Sequence, residues 1–340
     1  MKIGVLCSGG DAPGMNPCLR AIVRSAGKYD DFKVVGIKRG YQGLFDGAFY
    51  NDGRAIDVRD VSGLSSKGGA FLNSSRCKQM YDDEGVKEAA AILKANRFNA
   101  LICIGGNGTL SGAHQLTKYW DGQVIGVPGT IDNDLLGSDY TIGFPTATAT
   151  AVDAIDKLRD TAGSHDMMFV VEVMGRKCGD LAVFTAVAGG CEVVAVPETE
   201  TDFQKIADQL KEFKMLGKRS VIMVVAEGDS SLASGESDKR GVANVIRELE
   251  KHGCPYEMRS VVLGHIQRGG VPCPADRILA TELGYHAIEA LHDGKSDVMV
   301  GMIAGKLALT PLEEVIKDRR GSSKDEIVLK LEQLIAHLSI

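Results

Sequence analysis

The chain has 340 residues, of which 44% are hydrophobic and 25% charged, so it is long enough to form two lobes that each bury a core. Its net charge of −6 and its lack of a basic block argue against binding to nucleic acid or to an anionic membrane surface. No apolar run approaches the roughly 18 residues of a membrane-spanning helix, and the eight cysteines form no C-x-x-C pair, which favours reduced thiols in a cytoplasmic protein over a metal or redox motif.

The first half of the chain alternates apolar runs of strand length with helical patterns. Because the runs are continuously apolar, they are typical of strands buried on both faces, and so of a parallel sheet flanked by helices. The predicted strands are 2–8, 33–40, 100–106 and 123–129, and the predicted helices are 15–28 and 88–97.

A second α/β series follows residue 148. Its predicted helices are 149–162 and 180–190, its predicted strands are 167–175, 192–198 and 219–228, and 260–270 reads as a strand with a glycine turn. The segment 228–241 is polar and rich in small residues, which predicts a mobile surface loop, and 321–340 predicts a capped amphipathic helix.

This pattern predicts an α/β protein with two similar three-layer lobes, each a mainly parallel sheet flanked by helices. The chain would cross between the lobes more than once. We expect the larger lobe to comprise 1–142 plus 267–317 and the smaller lobe to comprise 143–266 plus 318–340.

Glycine turns follow three of the predicted strands, at 8–16, 105–109 and 128–134. There is no G-x-x-x-x-G-K-[ST] loop, and the G-x-G-x-x-G pattern at 106–111 fails because Ser111 holds the last position. A single glycine turn more often serves backbone geometry. Together, at the carboxyl ends of parallel strands, the three predict main-chain N–H groups and helix N-termini that line a phosphate site, with Asn107 at the tip of the second turn.

The third turn reads TIDND and carries two aspartates, Asp132 and Asp134. On an extended strand end, residues two apart face the same side. One carboxylate could then accept a proton from a substrate hydroxyl while the other orients that group or a metal-bound water. The alternative is a pair of turn-forming aspartates.

Cationic residues in the remaining motifs suit phosphate binding. They are Arg76, Arg176, Arg259, His265 and Arg268. Arginine binds phosphate oxygens bidentately and stays charged. An isolated arginine is more often a solvated surface residue and an isolated histidine a structural one, but His265 and Arg268 stand three residues apart beside a Gly-Gly turn.

Taken together, the motifs SGGDAPGMN, GGNGT, PGTIDND, VVEVMGRKCGDLA, GGCE and VLGHIQRGG resemble the ATP-dependent 6-phosphofructokinases of the bacterial type. The resemblance runs from residue 3 to about residue 305, in the order and spacing of that family. It implies a cytoplasmic glycolytic kinase, with ATP and Mg²⁺ in the larger lobe and fructose 6-phosphate on the smaller one. It also implies a homotetramer in which a neighbouring subunit completes the active site.

The resemblance assigns roles to individual residues at the nucleotide end of the site. Asp132 would be the base for the sugar 1-hydroxyl, Thr130 would touch the reacting end, and Arg76 and Arg176 would stabilise the transferring phosphoryl group. Asn107 and Asp134 would be the protein groups at Mg²⁺. The residues assigned to ATP contact are Gly10, Arg76, Cys77, Gly106, Asn107, Gly108 and Thr109.

The sugar phosphate would be bound mostly by residues of the second half. Arg259, reaching in from a neighbouring subunit, and His265 would hold the 6-phosphate. The full set that the resemblance assigns to this substrate is Thr130, Ile131, Asp132, Met174, Gly175, Arg176, Glu227, Arg259, His265, Ile266, Gln267 and Arg268.

Two glycines bear on the phosphoryl donor. Pyrophosphate-using relatives of this family carry Asp and Lys where Gly108 and Gly129 stand here, and those side chains would fill the space of the ATP α-phosphate. The two glycines therefore favour ATP as the donor.

The sequence departs from the family pattern at two charged positions. Asn107 stands where the resemblance implies a magnesium-associated aspartate, and Met167 stands where it implies an arginine aimed at the 6-phosphate of a neighbouring subunit. Three hypotheses remain open: a working but altered 6-phosphofructokinase, a paralogue acting on a related sugar phosphate, and a weakly active regulatory homologue. We favour catalysis because the other charged site residues are all present.

An allosteric site for ADP or phosphoenolpyruvate is implied in part. The matching residues are Arg20, Arg24, Arg159, Glu192, Lys218 and Arg219, whereas Val58 and Leu216 stand at positions that are usually basic. The alternative is that Arg20 and Arg24 are ordinary charges on a helix surface.

Overall fold

The computed structural model describes residues 1–229, 241–318 and 322–339. The surface loop predicted at 228–241 lies, except for its ends, outside these residues. The helix predicted at the end of the chain is confirmed over Ser322–Leu338.

Strands and helices alternate along most of the chain. The strands are β1 (Lys2–Ser8), β2 (Lys33–Ile37), β3 (Ala100–Gly105), β4 (Gln123–Thr130), β5 (Ile142–Gly143), β6 (Met167–Val173), β7 (Val193–Ala195), β8 (Val221–Ala226), β9 (Glu257–Val262), β10 (Val298–Ile303) and β11 (Lys306–Pro311). The helices are α1 (Met15–Ala26), α2 (Gln42–Phe45), α3 (Asp83–Ala95), α4 (Asn107–Leu116), α5 (Phe144–His165), α6 (Asp180–Ala188), α7 (Phe203–Met215), α8 (Val242–Lys251), α9 (Pro274–His292), α10 (Leu312–Lys317) and α11 (Ser322–Leu338).

The chain divides into two compact units and passes from one to the other three times. Unit 1 comprises Met1–Thr146 and Arg268–Gly321, and unit 2 comprises Ala147–Gln267 and Ser322–Ile340. The predicted class, parallel sheets flanked by helices in two α/β lobes, is confirmed. Which ligand each unit binds stays a prediction.

Unit 1 is built on a sheet of order β11-β10-β4-β3-β1-β2, with β5 paired to β4. All neighbours are parallel except β10 and β11, an antiparallel pair that the sequence did not predict. Ser8 is in register with Gly105, and Gly105 with Pro128, so the three glycine turns leave the same edge of the sheet side by side. Phosphate sites form at this edge in doubly wound folds.

Unit 2 contains a fully parallel sheet of order β7-β8-β6-β9. Alternate residues of β6 enter different cores: Phe169 and Val171 pack into one cluster, and Met168 and Val170 into another. Burial on both faces explains why this strand reads as an unbroken apolar run. The carboxyl ends of β6, β8 and β9 lead into the turns that carry the predicted sugar-phosphate residues.

No helix among the described residues is both long and apolar enough to cross a bilayer. The eight cysteines all fall within the described residues and are free thiols, six of them buried. Burial raises the pKa of Cys7 and of Cys103 to about 12, so these two thiols stay protonated and unreactive near neutral pH.

Candidate active site

Hydrogen bonds hold the segment that carries Arg76 against the first glycine turn. The Gly9 N–H donates to the Ser75 carbonyl at 3.1 Å, and the Ser74 hydroxyl donates to the Gly9 carbonyl at 2.8 Å. The Arg76 side chain is exposed, while Cys77 is 6% exposed and burial raises the pKa of its thiol. The two ATP-contact segments predicted here, at Gly10 and at 76–77, are therefore neighbours.

Arg268 reaches the same turn from far along the chain. Its Nη1 donates to the Asp11 carbonyl at 3.0 Å. The resemblance assigned Arg268 to the sugar phosphate. The guanidinium lies beside the Gly10 turn of unit 1, at the nucleotide end of the predicted site.

The second glycine turn is shorter than the sequence suggested, because α4 begins at Asn107. Asn107 is thus not the tip of a loop but the first residue of a helix, and this expectation was wrong. The first turn of α4 contains no acidic residue. Main-chain N–H groups at a helix N-terminus lack intrahelical partners and bear partial positive charge, so this end is suited to a phosphate.

Thr109 fastens the start of α4 to the end of β1. Its hydroxyl donates to the Ser8 carbonyl at 3.0 Å, and the Tyr41 hydroxyl donates to the Thr109 carbonyl at 2.8 Å. A Cβ at Gly105 would lie 2.4 Å from the Thr109 Oγ1, so only glycine fits there. Tyr41 was missed by sequence reasoning, since nothing local marks a buried tyrosine 68 residues away as a support for this helix.

The Asn107 side chain has an unusual environment. Its Nδ2 atom is buried and has no hydrogen-bond partner within the described part of the chain. An amide offers a metal ion one neutral oxygen, whereas the unsatisfied Nδ2 group is a donor that suits an anionic oxygen. Asn107 is therefore better suited to a phosphate than to a cation.

The two glycines that were predicted to favour ATP as the donor differ in the space around them. At Gly108 the nearest atom to an added Cβ would be the Tyr81 hydroxyl, 3.9 Å away, so the position is open. At Gly129 an added Cβ would meet Ile104 at 3.0 Å and the Gly105 nitrogen at 3.2 Å. Gly129 is thus also tightly packed inside the sheet, independently of any ligand.

The TIDND segment is a turn rather than an extended strand end. Strand β4 stops at Thr130, and Asn133 adopts the left-handed conformation with φ 53°. The inference that Asp132 and Asp134 share a face through strand alternation was therefore wrong, because the alternation does not continue past Thr130. Asp132 is nonetheless 1% exposed, as expected of a carboxylate held inside a site rather than on a surface turn.

Asn133 and Thr141 fix this turn. The Asn133 side chain donates to the Asp139 carbonyl at 3.2 Å and accepts from the Thr141 N–H at 3.1 Å. The Asp132 N–H donates to the Thr130 hydroxyl at 3.2 Å. Ile131 is fully buried and can offer a ligand only its main chain.

The start of α4 and the TIDND turn are adjacent. A Cβ at Gly106 would lie 3.5 Å from the Thr130 Cβ, which is ordinary contact distance. A helix N-terminus suited to phosphate and a buried carboxylate therefore occur together at one edge of the unit 1 sheet. This is the combination that phosphoryl transfer to a hydroxyl requires.

In unit 2 the MGR motif forms a sharp turn after β6. Gly175 has φ 135° and Arg176 has φ 54°, and a Cβ at Gly175 would lie 2.6 Å from the Cys178 carbonyl. The Arg176 N–H donates to Glu227 Oε1 at 2.8 Å, which ties this turn to the end of β8. The Arg176 side chain is exposed.

The other residues predicted to bind the sugar phosphate are distributed unevenly. Met174 and Gln267 are joined by a hydrogen bond and are buried, whereas His265 and Ile266 are exposed. On β6, burial raises the pKa of the Glu172 carboxyl, and the Glu227 carboxylate adds to this effect.

Arg259 and Met167 lie on neighbouring strands at the edge of the unit 2 sheet. Arg259 is exposed on β9 and forms an ion pair with Glu257. Met167, the first residue of β6, is partly buried and packs against the core that contains Phe169. Met167 therefore serves the core of its own unit.

The predicted effector residues of unit 2 centre on a nearly buried carboxylate. Glu192 pairs with Arg159 at 3.2 Å and with Lys218 at 3.4 Å, and its other oxygen accepts from the Ile222 N–H at 2.7 Å. Lys218 also donates to the Ser339 carbonyl at 3.0 Å, and Arg219 donates to Asp166 at 2.5 Å.

The two effector residues of unit 1 lie on α1, where Arg20 is half-buried and Arg24 is exposed. Each cation of the unit 2 set already has a protein partner. An effector would have to compete with these partners.

Comparison with known proteins confirms the resemblance. Residues 2–291 match the family model described as phosphofructokinase. The chain is 45% identical over 335 residues to the ATP-dependent 6-phosphofructokinase 1 of Thermus thermophilus, covering 98% of this chain and 99% of that protein. It is 43% identical over 338 residues to the ATP-dependent 6-phosphofructokinase of Paenibacillus macquariensis, covering 99% and 98%.

A solved structure agrees with this relationship. The phosphofructokinase of Saccharomyces cerevisiae superposes with a TM-score of 0.81 at 30% identity, over all of this chain and 48% of the yeast chain.

Proposed function

The chain belongs to the phosphofructokinase family and is a kinase that transfers a phosphoryl group to a hydroxyl, and from that premise we propose that it uses ATP to phosphorylate the 1-hydroxyl of fructose 6-phosphate. The observation that carries the proposal is the contact between the start of α4 and Thr130, which opens the turn that carries the buried Asp132, since a phosphate site alone would not need a carboxylate that is 1% exposed.

The nucleotide phosphates bind at the edge of the unit 1 sheet. The main-chain N–H groups of Gly10 and of 106–108 face them. Arg76, whose segment is held next to the first glycine turn, stabilises charge on the transferring phosphoryl group. Asn107 contributes its buried Nδ2 donor to a phosphate oxygen. Positioning and cationic stabilisation supply most of the catalysis in phosphoryl transfer.

Asp132 acts as the base. Its carboxylate takes the proton of the sugar 1-hydroxyl as that oxygen bonds to the γ-phosphorus, and the bond from the γ-phosphorus to the β–γ bridging oxygen breaks to release ADP. Thr130, whose hydroxyl accepts from the Asp132 N–H, touches the reacting end. A base positioned in this way contributes roughly 10²–10⁴-fold to the rate.

The sugar phosphate is bound by the turns that follow the unit 2 strands. Met174, Gly175, Arg176 and Glu227 bind the sugar, and His265 binds its 6-phosphate. Arg259, exposed on an edge strand, reaches the 6-phosphate of a neighbouring subunit in a homotetramer. Arg268 approaches the phosphoryl group from the Gly10 turn.

A magnesium ion fits this site only with the nucleotide bound. No group of three or more His, Cys, Asp or Glu side chains is placed to hold a metal within the described ranges. Mg²⁺ commonly binds through one or two carboxylates together with substrate phosphates, and Asp134 supplies one carboxylate here. When bound, the ion would neutralise charge on the β- and γ-phosphates.

A second candidate function is kinase activity toward a related sugar phosphate. The observation that favours it is Met167, which is packed in its own core and adds no charge for a 6-phosphate. A weakly active regulatory homologue is the third hypothesis. Binding of ADP or phosphoenolpyruvate near Arg159, Glu192 and Lys218 would be compatible with the second and the third hypothesis alike.

The test is ADP formation by the purified protein with Mg²⁺, ATP and a panel of sugar phosphates, with pyrophosphate as a parallel donor. We expect fructose 6-phosphate to support turnover of about 1 per second or more and Asp132→Asn to remove most of it. The exposed Asp121→Asn serves as the control. Turnover that survives in Asp132→Asn would refute the assignment of the base, preference for another sugar phosphate would favour the paralogue, and no turnover with any donor would favour the regulatory homologue.

A further inference from the structure

Gln267 is a fully buried polar side chain at the point where the chain leaves unit 2. It is 0% exposed, and its Oε1 accepts a hydrogen bond from the Met174 N–H at 2.9 Å. Its Nε2 is buried and has no hydrogen-bond partner in the part of the chain that the structure describes. A buried unsatisfied donor is destabilising, so an apolar residue of the same length would be the more stable choice unless the amide oxygen is needed.

The hydrogen bond that the Met174 N–H donates to Gln267 lies at the start of the turn that carries Arg176. Gly175 and Arg176 are both in the left-handed region, with φ values of 135° and 54°. Non-glycine residues persist in this region only when the surrounding structure holds them there. The far end of the turn is held by Glu227, whose Oε1 accepts from the Arg176 N–H at 2.8 Å.

Two side-chain oxygens therefore hold the turn, one at each end. The two are not equivalent, because Glu227 keeps a second carboxylate oxygen that could meet a ligand, whereas Gln267 is wholly inside the protein. A side chain with no exposed surface cannot contact a bound sugar directly. Its amide oxygen acts on the turn through the Met174 main chain.

We propose that Gln267 is a positioning residue, whose amide oxygen fixes the start of the 174–176 turn and so places the Arg176 guanidinium for the sugar phosphate. This rests on the proposed function, in which Arg176 binds that substrate. It replaces the direct substrate contact that the sequence resemblance assigned to Gln267.

Three substitutions distinguish the role of the Gln267 amide oxygen from that of the rest of the side chain. Gln267→Met keeps the length and removes the acceptor, Gln267→Glu keeps an acceptor at the same place, and Gln267→Asn withdraws it by one bond. We expect Gln267→Met to lower kcat/KM for fructose 6-phosphate by about 100-fold, through a higher KM and a lower kcat, with the KM for ATP unchanged. Gln267→Glu should restore most of the loss.

Thr185→Val is the matched control. The Thr185 hydroxyl is also buried in unit 2 and also lacks a hydrogen-bond partner in the described residues, and valine has the same shape. This substitution removes a buried polar group without touching the turn. We expect both KM values to stay at those of the wild type.

Hydrogen exchange at the Met174 amide gives a readout that needs no kinase activity. Exchange should be slow in the wild type and in Thr185→Val, and faster in Gln267→Met. If the wild type shows no turnover but the exchange pattern holds, the positioning contact stands and the proposed function fails. Unchanged exchange, or a rise in the KM for ATP equal to that for the sugar phosphate, would overturn the proposal.

Should Gln267→Met fail to fold, Gln267→Asn decides the matter. An intermediate rise in the KM for fructose 6-phosphate would support positioning by the amide oxygen. A KM equal to that of the wild type would overturn it.

Discussion

The guanidinium of Arg268 fills the space that a side chain at Gly10 would need. A Cβ at position 10 would lie 2.2 Å from Arg268 Nη1 and 2.9 Å from its Cζ. The position of the Arg268 side chain therefore requires glycine at position 10, whether or not a phosphate also approaches this main chain closely. Two motifs from opposite ends of the sequence depend on each other at this point.

We expect Gly10→Ala to fold but to lose activity. The clashing atoms end a flexible side chain, so Arg268 can swing away at little cost to the fold, but the guanidinium then leaves its place beside Asp11. Displacing a positioned group by about 1 Å can cost on the order of 100-fold in rate. Steady-state kinetics together with thermal unfolding would measure the two effects separately.

Gly163→Ala is the control for Gly10→Ala. Outside its own helix, no atom of the described residues lies within 4 Å of an added Cβ at this helical glycine, so activity should be unchanged and stability should rise by about 0.5–1 kcal/mol. Full activity in Gly10→Ala would show that the position of Arg268 is not critical.

Asn107→Asp should lower the Mg²⁺ concentration needed for nucleotide binding. The change replaces an amide, whose Nδ2 lacks a partner within the described residues, with a charged oxygen of the kind Mg²⁺ prefers. A negative charge at the first position of α4 should also stabilise the helix by about 0.3–1 kcal/mol. Titrating ATP at a series of Mg²⁺ concentrations, by calorimetry, would measure the shift.

The exposed Asn51→Asp adds the same charge elsewhere in unit 1 and should leave the Mg²⁺ dependence alone. If Asn107→Asp binds nucleotide with the Mg²⁺ dependence of the wild type, then Asn107 does not lie near the ion. A large gain in turnover from a near-zero baseline would instead favour the regulatory homologue.

Gly108→Asp and Gly129→Lys should fail in different ways. At Gly108 there is room for a side chain, so the protein should fold and the aspartate should raise the KM for ATP by repelling its phosphates. At Gly129 a Cβ alone would lie 3.0–3.2 Å from Ile104, Met15 and the Gly105 main chain, and a whole lysine side chain needs more room, so this substitution should lower the stability of the protein. Urea unfolding and the KM for ATP distinguish the two outcomes, and a stable Gly129→Lys protein would contradict the packing argument.

The sequence was sufficient for the fold class because the signal there is local. Unbroken apolar runs such as 100–106 indicate two-sided burial, and the glycine turns mark the strand ends where phosphate sites form. Strand order and register could not be derived from these patterns, because they depend on which runs meet in space.

The same limit explains what was missed at the site. The left-handed Asn133 ends the extended conformation that the sequence suggested for the TIDND segment, and its partner Thr141 stands eight residues away. The supports from Tyr41 and Gln267 come from distant parts of the chain. Sequence motifs identify the predicted catalytic and ligand-binding side chains. The side chains that hold them in place, such as Tyr41 and Gln267, belong to no motif that would mark this role.

Asp276 should make a pH-dependent contribution to stability. This carboxylate is fully buried at the start of α9 and accepts from the Gly143 N–H at 2.7 Å, from the Thr146 N–H at 2.8 Å and from the Thr146 hydroxyl. Burial raises the pKa of Asp276, opposed in part by these hydrogen bonds. Since the folded pKa exceeds the unfolded one, the native state binds more protons between the two values, and stability falls as pH rises through the folded pKa.

Asp276→Asn should therefore remove this pH dependence, because asparagine does not titrate. The amide, like the protonated carboxyl, keeps one acceptor and puts one donor against the N–H groups. The free energy of unfolding of the wild type minus that of the variant should be highest below the unfolded pKa of about 4 and should fall as pH rises through the folded value. Urea unfolding of both proteins across this pH range measures the difference.

The exposed Glu282→Gln, on the same helix, is the control: it removes a carboxylate without touching the buried network and should leave the pH dependence unchanged. A difference between Asp276→Asn and the wild type that grows as pH rises would mean that the ionised carboxylate is the form that stabilises the fold. The three hydrogen bonds would then outweigh burial, and folding would lower the pKa of Asp276 instead of raising it.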